Sequence, residues 1–257
     1  MKGKMEDSRC NMRRIGRPLP TVTSRTSRTP ASKIPVFINN YNRLGSMTDL
    51  IEWLLEQGTE RIEILDNSST YPPLLKWYEQ LPRDGVKVSL HPNLGPWAFW
   101  SRSMHKEQST PYIVTDADIV PSECCPVDLV NKMQDLLLSN PECGKVGPGL
   151  RLDNIPDLSR DFITNGDGKG WEGEGVFWKR RHSPCTFYAP IDTTFAMYNA
   201  FSPWVQAEWN NLRMDAPYLV EHTPWYTHKP FSAEEQYYRD TASKTWSHVT
   251  WPSPINS

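Results

Sequence analysis

The chain has 257 residues, 38% hydrophobic and 23% charged, enough to bury a real core and unlike a collagenous or wholly disordered sequence. A formal charge of −2 gives no electrostatic case for nucleic acid as a main partner. Five cysteines without a C-x-x-C pair argue against zinc and fit a reducing compartment, and no apolar run nears the roughly 20 residues of a membrane span, so a soluble cytoplasmic protein is expected.

Residues 1–33 carry nine Lys or Arg against Glu6 and Asp7, among Ser, Thr and Pro. So little apolar surface cannot offset the entropy of ordering, and the stretch reads as a disordered basic tail. Such a tail is usually solvated; peripheral contact with an anionic membrane surface is the other reading. A single domain is expected over 34–257. It opens with the apolar run Ile34–Ile38, a buried strand bounded by Asn39-Asn40. Met47, Leu50, Ile51, Leu54 and Leu55 recur at helical spacing between Leu44 and Gln57, and Gly58 supplies the stop. Arg61–Leu65 is a second strand ending at Asp66. A helix follows over Leu74–Leu81 behind Pro72-Pro73. Val86–Leu90 is a third strand, Pro96–Met104 a helix and Tyr112–Thr115 a fourth strand. Beyond these lie an expected helix over Val127–Leu138 and a short strand over Lys145–Leu150. A Gly- and charge-rich loop follows over 153–182, then a strand pair or bent strand over Thr186–Tyr198, and a terminal helix over Ala233–Ser243.

Strands separated by helices predict an α/β fold, an open and mostly parallel sheet flanked by helices, with an irregular C-terminal region. In such sheets ligands bind beyond the carboxyl ends of the strands. Asn39, Asp66, Asn93 and Asp116 follow the four strands in turn, so polar side chains gather where a ligand belongs. The sharpest signal is Asp116-Ala117-Asp118. In extended backbone, positions i and i+2 face the same side, so both carboxylates can converge on one cation. A hard ion such as Mg²⁺ or Mn²⁺ prefers oxygen ligands and shares them with substrate phosphates. The plainer reading of this tripeptide is an exposed turn with two solvated acids.

Taken together, residues 34–122 resemble the nucleotide-sugar-binding half of GT-A-fold (Rossmann-like) glycosyltransferases, especially the family 2-like group. Pro35-Val36-Phe37-Ile38-Asn39-Asn40-Tyr41-Asn42-Arg43 resembles the family's opening strand and its turn. Ile64-Leu65-Asp66-Asn67-Ser68-Ser69-Thr70 resembles the nucleobase loop, Asn93-Leu94-Gly95 the N-x-G element, and Tyr112–Pro121 the strand that carries the D-x-D motif. The resemblance implies a nucleotide-sugar donor, UDP-sugar first, and a divalent Mn²⁺ or Mg²⁺. It implies that Asp66 accepts from the base, that Asn39 and Asn42 line the nucleotide pocket, and that Asn93 and Gly95 admit the donor to the backbone. Asp116 would face ribose and metal, and Asp118 would ligate the metal. Residues 123–257 would form the acceptor half, for a glycan, lipid-linked or protein acceptor.

Two departures qualify the match. Trp97-Ala98-Phe99-Trp100 replaces the usual small residues after the N-x-G element, and the family's later acid pair has no clean counterpart. Asp192, an acid among apolar neighbours, is the leading candidate base and Glu172 the second; a structural acid and a solvated loop acid are the competing readings. Glu234-Glu235 reads better as a helix cap. The resemblance to metal-dependent GT-A enzymes implies a late His as a further metal ligand and makes His222, in an aromatic, Pro-bearing loop, the candidate, with a structural histidine as its alternative and His228 as a weaker substitute. Arg151 and Arg213 are candidates for steadying phosphate or acceptor groups. Trp171, Trp178, Trp204 and Trp225, among eleven Trp residues, are candidates for stacking on a sugar or for core. Two rival functions stay in view: a sugar-phosphate nucleotidyltransferase, disfavoured by the lack of a Gly-rich basic loop after the first strand, and a catalytically inactive carbohydrate-binding protein on the same fold.

Overall fold

The computed structural model describes residues 28–81, 84–156, 175–200 and 210–242. Four parallel strands form its N-terminal half: β1 (Val36–Asn40), β2 (Ile62–Asp66), β3 (Val86–Leu90) and β4 (Tyr112–Asp116), in the spatial order β3-β2-β1-β4. Helices α1 (Gly45–Glu56) and α2 (Pro72–Glu79) and the single turn α3 (Ala98–Ser101) connect them. Then come β5 (Ile119–Pro121), α4 (Leu129–Ser139), β6 (Lys145–Gly147), β7 (Gly149–Leu150), β8 (Arg181–Ser183), β9 (Thr186–Tyr188), β10 (Ala196–Tyr198), β11 (Leu212–Met214), β12 (Leu219–His222) and α5 (Ala233–Thr241).

The main sheet continues from β4 through β10, β6, β11 and β9 to β8. Strands β10 and β9 run against their neighbours, so seven of its nine described strands point one way. The fold is therefore α/β with an open, mostly parallel sheet. Alternation of side chains along the strands covers both faces. Val36, Ile38, Ile62, Ile64, Ile113 and Met197 join α1 and α4 in one core, while Phe37, Leu65, Tyr112, Val114, Ala196 and Tyr198 pack with Phe99 and Trp100 on the other. Met47, Leu50, Ile51 and Leu54 of α1 are all buried, each worth roughly 1.5–3 kcal/mol of apolar transfer.

A second, three-stranded sheet sets β12 between β5 and β7. The expected strand over 145–150 is thus split between two sheets. Pro148 cannot donate to a ladder, and the glycines on either side allow close contact. A Cβ on Gly147 would lie 2.4 Å from the Phe195 carbonyl, and one on Gly149 would lie 2.5 Å from that of Met214. Nor do residues 186–198 form a strand pair. Strand β9 pairs with β11 and β8, and β10 with β4 and β6. The helix expected over 96–104 is broken because Ser103 adopts a left-handed φ of 58°.

Residues 1–27 lie outside the described part of the chain, as does most of the 153–182 loop. Residues 28–33, assigned to the tail by composition, pack on the domain. Arg28 donates to Asn131 and pairs with Asp135, and Lys33 pairs with Glu60. No described helix is long and apolar enough to cross a membrane.

Candidate active site

The carboxyl ends of β1, β2 and β4 lie side by side, with Asn39 opposite Asp116 and Asn40 opposite Asp66. A cavity of about 490 Å³ opens above that rim. Asn39, Asn93, Gly95, Asp116, Asp118, Asp192 and His222 all line it, from segments spread over most of the domain. Its volume falls within the range of small-molecule sites.

The two acids converge, but not as extended i, i+2 neighbours. Asp116 ends β4, and Asp118 sits in the turn that leads into β5. That turn is held from both sides, because the Ala117 amide donates to the Asn39 carbonyl at 3.0 Å and the Thr223 amide donates to the Asp118 carbonyl at 2.8 Å. His222 reaches the same place through strand pairing. In the antiparallel β5–β12 ladder it stands opposite Ile119, one residue beyond Asp118. Its Nε2 is 3.6 Å from Asp118 Oδ2, its ring packs edge-on to Trp225, and its Nδ1 has no hydrogen-bond partner among the described residues.

The electrostatics separate the two carboxylates. Burial, with the Asp118 charge beside it, pushes Asp116 well above the usual carboxylate range, although Thr193 Oγ donates to its Oδ2 at 2.6 Å. Burial also acts to raise Asp118, but His222 and Arg43 outweigh it and hold Asp118 below its ordinary value. Burial alone would push the His222 imidazole down; the adjacent Asp118 carboxylate outweighs that and holds it above its ordinary value. Two neighbouring acids so divided can serve different tasks. Among the described residues no group of three or more His, Cys, Asp or Glu side chains is arranged to hold a metal ion. The expected trio is therefore a close Asp118–His222 pair with Asp116 engaged by Thr193.

Asp192 lines the cavity and satisfies its structural reading as well. Its Oδ1 accepts from the Thr194 amide at 2.9 Å, while its carbonyl accepts from buried Lys145 at 3.2 Å. A short polar chain shapes the opposite wall. Asn67 donates to Asn39 at 2.6 Å and accepts from the Leu94 amide at 3.1 Å, and the Asn93 side chain accepts from the Gly95 amide at 2.9 Å. Gly95 has a φ of 65°, a left-handed conformation that glycine adopts at little cost.

Asp66 and Asn42 stand behind this wall rather than in it. Asp66 accepts from the Ser69 amide and from the Tyr78 hydroxyl, both at 2.8 Å, and is 1% exposed. Asn42, wholly buried, accepts from the Thr70 and Tyr71 amides and donates to the Thr241 hydroxyl. Asn67, the residue after Asp66, is the one that reaches the cavity.

Glu172, Trp171 and Trp204 lie outside the described residues. Of the Trp97–Trp100 run, Trp97 joins the cavity wall while Phe99 and Trp100 are buried in the core. Trp178 and Trp225 do not line the cavity; Trp178 packs on Phe187. His228 is exposed and elsewhere. Arg151 is drawn to Glu123, Asp153 and Glu221, and Arg213 donates to the Pro190 carbonyl. Glu234 accepts from the Gly45 amide at the start of α1, Glu235 binds Arg43 and Arg239, and Ser232 caps α5.

Thr193 and Tyr238 were missed as site residues. The Thr193-Thr194 pair beside Asp192 was the available signal for the first. No local pattern marks Tyr238, which comes to the cavity on α5 about 120 residues after Asp118.

No protein-family model and no curated protein matches the chain. Among solved structures, the crystal structure of GalNAc-T7 with UDP, GalNAc and Mn²⁺ is similar at a TM-score of 0.46 and 16% identity, over 74% of this chain and 43% of that one. S. aureus TarS 1–349 is similar at a TM-score of 0.44 and 14% identity, over 74% of this chain and 60% of that one. TarS 1–349 in complex with UDP-GlcNAc is similar at a TM-score of 0.36 and 16% identity, over 49% and 38%. The chain spans less than two thirds of each of these proteins. Likeness of this degree identifies no residue and no activity, so the functional reading rests on the site.

Proposed function

We propose that the chain is a glycosyltransferase that moves a sugar from a nucleoside-diphosphate donor, UDP-sugar first, to an acceptor hydroxyl on a glycan, lipid-linked or protein substrate. One observation carries the reading: Asp116, Asp118, Asp192 and His222 share a ligand-sized cavity at the carboxyl rim of parallel strands. An anionic diphosphate would be repelled from three acids unless a cation intervened.

Asp118 suits Mn²⁺ or Mg²⁺ and a neutral His222 suits Mn²⁺, since such ions take one or two protein groups and complete their shell with water and substrate phosphate. The close Asp118–His222 approach and the orphaned His222 Nδ1 are compatible with that donor set. When bound, the ion would supply Lewis acidity toward the departing diphosphate. Asp116, held by Thr193, lines the same cavity. Asn39, Asn67 and Asn93 offer amide donors and acceptors to the nucleoside, and Gly95 lets the backbone approach it. Asp192, fixed by the Thr194 amide, would accept the acceptor hydroxyl's proton as that oxygen attacks the anomeric carbon. The developing charge on the sugar resembles an oxocarbenium ion.

The experiment is a panel of UDP- and GDP-sugars, with and without Mn²⁺, followed by calorimetry and donor hydrolysis. Metal-dependent binding to one nucleotide class is expected. Failure to bind every donor under both conditions would remove the proposal.

A further inference from the structure

A buried cation shares the cavity with the acids. Arg43 lines it, is 7% exposed, and is the only Arg or Lys among the described lining residues. Its Nη1 donates to Glu235, its guanidinium lies 3.7 Å from the centroid of the Tyr238 ring, and its Nε has no partner among the described residues.

A buried guanidinium with a structural duty alone normally has its donors satisfied. Here one donor, the buried Nε–H, is left without a partner among the described residues, in a side chain that lines the cavity. Glu235 also accepts from Arg239 Nε at 2.6 Å, so one carboxylate serves two guanidiniums, and Asp118 of the same cavity is the other acid that acts on Arg43. Residues of α5 therefore hold the planar group in place, stacked on one face and anchored at one corner. A guanidinium so fixed offers forked donors that match phosphate oxygens.

We infer that Arg43 binds the diphosphate of the substrate, as the protein's own cation in the same cavity as the Asp118–His222 pair, with Glu235 and Tyr238 of α5 as positioning residues. The inference rests on the proposed nucleoside-diphosphate site and names a binding residue in it. It makes α5 part of the substrate-binding apparatus.

The test is calorimetry of the full chain with UDP and with GDP, each against its nucleoside, at fixed Mg²⁺. Arg43→Gln should weaken the preferred diphosphate by roughly tenfold to a hundredfold, the worth of one or two charge-assisted hydrogen bonds, and leave the nucleoside unchanged. Arg43→Lys should fall between, because an ammonium lacks the fork. Glu235→Gln, which relieves Arg43 of its neutralising acid, should tighten the diphosphate. A purely structural Arg43 would instead make Arg43→Gln and Glu235→Gln alike, with diphosphate and nucleoside weakened together. That pattern would overturn the inference while leaving the proposed function intact, as would wild-type diphosphate affinity in a folded Arg43→Gln protein. If Arg43→Gln does not fold, the opposed signs expected of Arg43→Lys and Glu235→Gln decide. Wild-type protein that binds neither diphosphate would remove both readings.

Discussion

Replacing Asn42 with Ala separates a structural from a ligand-binding role at a position where sequence resemblance implies nucleotide contact. Asn42 has a φ of 52°, and its Oδ1 accepts from the Thr70 and Tyr71 amides at 2.7 and 2.9 Å. Its Nδ2 donates to Thr241 Oγ at 2.9 Å. One side chain thus ties the first loop to the start of α2 and to the end of α5. Alanine removes all three bonds and leaves the two amides short of an acceptor, each omission costing about 1–3 kcal/mol if no water enters. A left-handed alanine adds about 1 kcal/mol. A loss of about 3–7 kcal/mol follows, a large part of the roughly 5–15 kcal/mol that holds a domain folded. Thermal unfolding should show a Tm lower by roughly 6–28 °C, at about 2–4 °C per kcal/mol for a domain of this size. Below that transition, calorimetry should find donor affinity close to wild type, since Asn42 does not line the cavity. A Tm shift under 2 °C, or a tenfold loss of donor affinity in the folded variant, would refute this account of the residue.

Asp192→Asn keeps an oxygen for the Thr194 amide, so the loop should hold; turnover should fall by about 10²-fold or more while donor affinity stays within threefold. Unfolding of that variant would mark Asp192 as structural. Thr193→Val removes the hydroxyl that donates to Asp116 and should cost about 1–3 kcal/mol in unfolding free energy, measurable by urea titration; an unchanged midpoint would show that the bond carries nothing. The Asp118–His222 pair gives metal-free stability a pH window. The lowered Asp118 contributes fully above its ordinary 3.8 and loses this as pH falls through its folded value. The raised His222 contributes fully below its ordinary 6.5 and loses this as pH rises through its folded value. Stability from the pair should therefore peak between these limits. His222→Asn should erase the decline above pH 6.5 in unfolding experiments run over that range, and a decline of undiminished size in the variant would assign it to other groups.

Local pattern made the N-terminal half legible. The spacing of Met47, Leu50, Ile51 and Leu54 specifies a helix face, and four short apolar runs specify strands, because both periods are written in neighbouring residues. Of the polar residues after those runs, Asn39, Asn93 and Asp116 line the cavity, whereas Asp66 lies behind its wall. Less was legible where pairing is distant and short. Strands β5 and β12 have three and four residues and meet across about 100 positions, so neither shows a period of its own. That ladder delivers His222 to Asp118, which only family resemblance suggested. Chemistry alone did not separate Asp66 from Asn67 either. Both follow β2, but the tight turn at Ser68, with a φ of 61°, draws the Asp66 carboxylate onto the Ser69 amide and leaves Asn67 at the cavity. The role of α5 was hidden for the same reason as that of β12: its contacts with Arg43, Asn42 and Gly45 span roughly 190 to 200 residues.

The central claim is that Asp118 helps to hold a cation on which a nucleoside diphosphate binds. Calorimetric titration of UDP or GDP with and without Mn²⁺, for wild type and Asp118→Ala side by side, tests it most directly. The account predicts metal-dependent affinity in the wild type and its loss in a variant that keeps its thermal transition. Equal metal dependence in both proteins, or none in the wild type, would contradict it.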